Sequence, residues 1–231
     1  MKHTILLLLA LLLVPLGAMA QNAAQADSLA TFKENLDRIG TLSSVAVLRI
    51  KKSKKYAKQL PASYDIEVDI DTLKTVFERY LKKKQMLPNC FAAEYNLTNS
   101  YIEALTLLSQ KGISNSTLAA ILSDVMNDLH IKAESYHGGW KNADLISVQV
   151  NSHSKDRAET RKYIEYIPKI LEFSPNPIAS RTNEMTRTSV KVAPGRYLVW
   201  AAGETEDTQG KRQIMTVSKD GSKTWEIETP K

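Results

Sequence analysis

Cysteine is almost absent from this chain of 231 residues: Cys90 stands alone. One cysteine excludes an internal disulfide, so whatever folds here rests on ordinary apolar cores, and the length suffices for one or two of them. The lone thiol reads as a small buried apolar side chain rather than a bridge between chains. Long apolar runs are missing too, apart from the first twenty residues. No later stretch approaches the roughly 18 residues that a spanning helix needs. Catalytic signatures are also scarce. There is no H-E-x-x-H, no G-x-S-x-G, no phosphate-binding glycine loop and no Asp-x-Asp-x-Asp-Gly calcium loop.

The N-terminus does carry a signal. Lys2 and His3 precede the apolar run Thr4 to Val14, and Ala18-Met-Ala20 supplies small residues at the positions a signal peptidase reads. The pattern predicts a secretory leader, residues 1–20, cleaved after Ala20, and a secreted or periplasmic mature chain without a membrane span. No cysteine follows the run, which argues against a lipoprotein. The formal charge of +6 comes largely from Lys51-Lys52-Ser53-Lys54-Lys55 and Lys82-Lys83-Lys84. Such runs suit nucleic acid, anionic lipid or acidic glycan. No nucleic-acid recognition motif accompanies them, and an exported chain has little occasion to meet nucleic acid, so they are expected to form a solvated face.

The mature chain changes character near residue 140. Before it, helical spacing dominates: Leu29, Phe32, Leu36 and Ile39 up to Gly40; Leu73, Val76, Phe77, Tyr80 and Leu81 behind a capping Asp71; Leu97, Tyr101, Leu105 and Leu108 up to Gly112; and Leu118, Ile121, Leu122, Val125 and Leu129 behind Ser114 or Ser116. Between the first two runs, Tyr64-Asp-Ile-Glu-Val-Asp-Ile-Asp71 alternates strictly. It predicts a strand with Asp65, Glu67, Asp69 and Asp71 on one face, paired across a hairpin with 44–51, whose lysines would neutralise the acidic row. A helix over 44–51 is the alternative.

After Trp140 the period becomes two. Strands are expected at about 144–151, 162–172, 187–193, 196–202, 211–217 and 223–229. Turns at Ser174-Pro-Asn-Pro177, Pro194-Gly195, Gln209-Gly210 and Asp220-Gly221 separate them, with Asp-Gly the strongest hairpin signal. Pro168 places the second strand at an edge or bends it. The expected fold is α+β: a helical domain over 21–139, then a small antiparallel β-sandwich over 140–231.

Within that second half, Val192-Ala-Pro-Gly-Arg-Tyr-Leu-Val-Trp-Ala201 resembles the PG-x-Y-x-V-x-A signature of carboxypeptidase regulatory-like domains, which are transthyretin-like β-sandwiches. The resemblance covers roughly 140–231. It implies an accessory module with no catalytic residue to carry over, and it turns Tyr197, Val199 and Ala201 inward. Leu198, Trp200 and Ala202 then face outward, where Trp200 would offer a platform to a ligand or lie under the chain's own helices or a loop. Trp225 reads as core, and Trp140, after Gly138-Gly139, as a wedge between the two halves.

Taken together, these readings predict a non-enzymatic accessory or binding protein of the cell envelope. Its tentative binding residues are Trp200, Leu198 and Trp140, its partner is an envelope protein or a glycan, and no cofactor is implied. Two alternatives stand beside it. One is a structural envelope component. The other is a metal- or thiol-dependent hydrolase using His130, Glu134 and His137, which form an H-x3-E-x2-H run, or Cys90.

Overall fold

The computed structural model describes the backbone of residues 2–107, 112–153, 163–174, 177–182, 188–202 and 210–228, and most of their side chains from Asp27 onward. Leu108, Asn176, Asn183, Gln209 and the charged connection 155–161 lie outside the described residues, as do the leader's side chains. Among the described residues five α-helices come first: α1 (Lys2–Lys51), α2 (Lys54–Ala57), α3 (Ile66–Lys82), α4 (Pro88–Leu107) and α5 (Asn115–His137). Seven strands follow among the described residues: β1 (Ile146–His153), β2 (Tyr163–Pro168), β3 (Ser180–Arg181), β4 (Thr188–Val192), β5 (Gly195–Ala202), β6 (Gln213–Val217) and β7 (Thr224–Glu228), with a 3-10 helix at Lys169–Phe173 after β2. The chain is therefore α+β. Among the described residues no helix is long and apolar enough to cross a membrane.

Helix α1 does not stop at Gly40. Phe32, Leu36, Ile39, Ala46 and Ile50 form one continuous buried stripe along it. Gly40 is there for contact rather than termination, because a Cβ at this position would lie 3.1 Å from Ile70 Cδ1 on α3. The expected hairpin over 44–71 is absent: 44–51 completes α1, and 66–71 opens α3. Asp65, not Asp71, is the cap, its carboxylate accepting from the Glu67 and Val68 N–H groups at 3.0 and 3.4 Å. Glu67 and Asp69 then sit in the first turn, where the positive end of the helix dipole favours them. An acidic row that would repel itself along a strand thus becomes a good helix start. The lysines of 51–55 do not neutralise it; Asp71 pairs with Lys74 at 3.0 Å instead. At the other end of α3 the chain reverses with Lys84 in the left-handed region, φ 54°, as Gln85 N–H returns to the Tyr80 carbonyl.

Ser114 caps α5 by accepting from Thr117 N–H at 3.1 Å. Helix α5 packs chiefly on α3, and α1 on α4, around a core that includes Phe77, Tyr80, Tyr101 and Tyr136.

The strands form two sheets, ordered β4-β1-β7 and β3-β2-β5-β6. Both contribute to one core: Val148, Val150, Val190, Trp225 and Ile227 from the first, Ile164, Tyr197, Val199 and Val217 from the second. Tyr197, Val199 and Ala201 point into this core, while Leu198, Trp200 and Ala202 belong to a separate small cluster on the opposite face of β5. Three expectations change. The strand pairing is not wholly antiparallel, since β1 and β7 run parallel. The second strand ends at Pro168, which hands the chain to the 3-10 helix; β2 is interior, flanked by the two-residue β3 and by β5. Finally, neither Pro194-Gly195 nor Asp220-Gly221 closes a hairpin, because β4 to β5 and β6 to β7 both cross between sheets. Gly221 lacks the positive φ of a tight hairpin turn, and the adjoining Lys219 is held by α5 through its N–H to Ser135 Oγ at 3.3 Å.

Candidate functional site

Helix α5 carries polar residues one turn apart on a single face: Asp124, Asp128 and Lys132, with Ser135 next along. That face meets the crossing between β4 and β5. Asp128 Oδ1 accepts the Arg196 N–H at 2.5 Å, and its Oδ2 accepts the Tyr101 hydroxyl from α4. Arg196 reaches Asp124 Oδ1 at 2.6 Å, and Lys169 of the 3-10 helix reaches its Oδ2 at 3.1 Å. Gly195 permits the approach. Its φ is +151°, and a Cβ there would lie 2.7 Å from Asp128 Oδ1. The Pro-Gly turn therefore plugs the sheets onto the helices.

Deeper in, Lys132 is only 2 % exposed. Its ammonium donates to Glu94 Oε1 at 2.9 Å and to the Pro194 carbonyl. Tyr136 donates to Glu94 Oε1 at 2.8 Å, and Cys90 Sγ lies 3.4 Å from the same hydroxyl. Burial pushes the Glu94 carboxyl up, against the lowering effect of Lys132. Burial, with nearby Glu94 or Asp128, holds the phenols of Tyr101, Tyr136 and Tyr197 well above their ordinary value, so they remain donors. The Cys90 thiol is pushed up to about 11, chiefly by burial. A nucleophilic cysteine needs the opposite shift, and this side chain is inaccessible. The network's polar atoms are spent on one another across the junction.

His130, Glu134 and His137 do not converge. His130 Nδ1 lies 3.1 Å from Asp69 Oδ1, and its ring stacks on Tyr64 with centroids 3.8 Å apart. Glu134 and His137 are exposed. No group of three or more metal-ligating side chains occurs among the described residues. Burial raises the Asp69 carboxyl, with His130 opposing.

The three aromatic and apolar candidates are covered or wedged. Trp200 is 3 % exposed, and its Nε1 donates to Glu165 Oε2 at 2.9 Å. Leu171 of the 3-10 helix and Ala179 pack against it and Leu198, and the Arg212 guanidinium lies 4.7 Å from the ring centre. A local segment covers this face, not the long helices. Trp140 packs against both the helical and the sheet cores and sits 5.6 Å from the Tyr136 ring.

An open groove of about 840 Å³ lies where the two halves meet. Asn35 and Arg38 of α1, Asn99, Ser100 and Glu103 of α4, and Leu171 and Phe173 after β2 line it, over a floor of Ile102 and Ile170. Asn35 donates to Thr98 Oγ1 at 3.0 Å and to Asn99 Oδ1 at 3.3 Å, which fixes the polar wall. Arg38 is exposed and makes no ion pair among the described residues. The sequence marks Trp140 as a wedge between the two halves but singles out none of these residues. Arg38 and Phe173 are far apart in the chain, and only the 3-10 helix after Pro168 brings them to one cleft.

No protein-family model, no curated protein and no solved structure matches this chain.

Proposed function

We propose that this protein is an exported accessory module of the cell envelope that binds a carboxylate-bearing glycan in the groove between its helices and its sheets. The observation that carries this reading is the chemistry of that groove. It joins an apolar floor and an aromatic ring, Phe173, to amides, hydroxyls, the exposed carboxylate of Glu103 and the Arg38 guanidinium, which has no ion pair among the described residues. Few convergent polar groups over an apolar base are what small-ligand sites consist of. An arginine with no internal partner suits a planar carboxylate, and Asn35, Asn99 and Ser100 suit hydroxyls. Export rests on the leader ending at Ala20. The sheets, in this reading, are a transthyretin-like sandwich, supported by the Pro-Gly turn and the inward Tyr197 and Val199.

The test is calorimetric titration with a uronic-acid oligomer and with a neutral oligosaccharide of equal length. The acidic oligomer should bind at least about tenfold more tightly, in line with one charge-assisted contact of about 1.4 kcal/mol or more. Arg38→Ala should erase that difference, and Ser100→Trp should block both sugars while leaving the fold intact. Equal affinity for the two sugars, or binding that survives Ser100→Trp, overturns the reading.

A further inference from the structure

We infer that the end of α1 and the α2 segment form a second surface, one that docks on a bilayer carrying anionic lipid. It is remote in composition from the groove of Arg38 and Phe173 and does not depend on it. Three observations meet here. First, Val45 and Leu48 are 64 % and 66 % exposed on neighbouring positions of α1, so they project from the surface rather than fill it. They are not scattered: Leu48 shares with Val47, Leu60, Pro61 and Met126 the lining of a cleft of about 740 Å³. Its apolar floor would receive part of an acyl region.

Second, this apolar patch is flanked by basic residues. Lys51 and Lys52 follow Leu48 by three and four positions, Lys54 and Lys55 follow on α2, and Lys58 caps its end. All five are exposed, and none makes an ion pair among the described residues. Lysines on a solvated face with opposite charges nearby would pair, as Lys33, Lys74 and Lys82 do. Third, most of the acids near the patch have partners of their own. Asp65 is committed to capping α3, and Asp37 and Asp71 are held by Lys74. Asp65 and Glu67 line this cleft, and Asp37, Glu67 and Asp71 line a neighbouring one with Val45 and Leu48, so the lysines flank the patch on its α2 side.

Protruding apolar side chains flanked by lysines without ion pairs among the described residues are the composition of an interfacial anchor. The apolar residues enter the headgroup boundary, and each lysine gains from the negative surface potential within a Debye length. An acidic protein partner would use the lysines but would not require the two exposed aliphatics to project.

The test is co-sedimentation of the chain, purified from the envelope of an expressing host and with its N-terminus read by mass spectrometry, with two kinds of vesicle. One is phosphatidylcholine alone; the other contains phosphatidylglycerol. Variants are compared on chains with the same N-terminus, and circular dichroism confirms that each is folded. Binding to the anionic vesicles is expected to be at least about tenfold tighter and to weaken as salt is raised. Lys54→Glu/Lys55→Glu should lower it about tenfold or more, whereas Lys83→Glu/Lys84→Glu, an equal change of net charge elsewhere, should change it less than twofold. Leu48→Ser should weaken binding at every salt concentration. The inference fails if both double variants lose binding equally, if the two vesicle types bind alike, or if soluble polyglutamate binds as tightly as the anionic vesicles.

Discussion

Lys132 is the residue on which the junction turns. It lies on the inner face of α5, almost without exposure, and bonds to Glu94 of α4 and to the Pro194 carbonyl of the sheets. Removing one member of a buried pair strands the other charge, which costs about 3–5 kcal/mol, whereas replacing both by apolar groups is near neutral. Lys132→Met should therefore lose about 3–5 kcal/mol in urea unfolding, and Lys132→Met/Glu94→Leu should recover most of it. The single variant also has a pH signature. Glu94 is already raised by burial from an ordinary 4.5, and without Lys132 it rises further. A carboxyl whose pKa is higher folded than unfolded binds more protons when folded. Its contribution is full below the unfolded pKa and lost as pH rises through the folded one. Lys132→Met should thus gain stability on acidification from pH 7 towards pH 5, a trend absent from the double variant.

At the scale of elements, α3 is the informative case. Its first six residues alternate as a strand would, yet they form a helix whose buried side is Ile66, Asp69, Ile70 and Leu73. Ile66, Ile70, Leu73, Val76 and Phe77 satisfy helical spacing equally well, and the alternation is only the overlap of the two periods over a short window. The cap decides between them locally: Asp65 satisfies two N–H groups that a helix start leaves open. Asp65→Ala should cost about 1 kcal/mol, measured as a lower urea midpoint with an unchanged slope. Packing then completes the choice, since only a helix brings Val76, Phe77 and Tyr80 into the core with Tyr136. The same element-level reasoning explains Gly40, which looks like a helix stop in sequence and is a helix-crossing contact in space.

For the whole molecule, the two halves are joined by Asp128, Lys132 and Arg196 through buried bonds, and by Trp140 packed into both cores. They should unfold as one unit. The tryptophans, Trp140, Trp200 and Trp225, all lie from the junction onward, while the helices precede it. Tryptophan fluorescence reports the sheets, and circular dichroism at the helical band reports the helices. Coincident urea transitions by the two probes are expected. Gly195→Ala forces a side chain against Asp128 and should separate them, with the fluorescence midpoint moving to lower urea first.

Much of the second half was legible in the sequence because a strand's period is two and its turns announce themselves. The strands from β4 onward fall within about two residues of where the alternation places them, and the division of β5 into Tyr197/Val199 and Leu198/Trp200 faces follows from pleat geometry alone. Helix caps of the Ser114 kind were equally local. Sheet membership was not: a Pro-Gly or Asp-Gly turn looks the same whether the chain folds back beside itself or crosses to another sheet. Nor was the segment that covers Trp200, because the outer face of a strand is closed by whichever distant stretch packs on it, here that around Leu171 and Ala179. The groove of Arg38 and Phe173, the buried pair of Glu94 and Lys132, and the lysine-flanked patch at Leu48 all depend on which surfaces remain after packing. Sequence periodicity determined the elements and their inner faces, since these are properties of adjacent residues. Tertiary structure decided which outer faces stay open, since burial there is set by residues far along the chain.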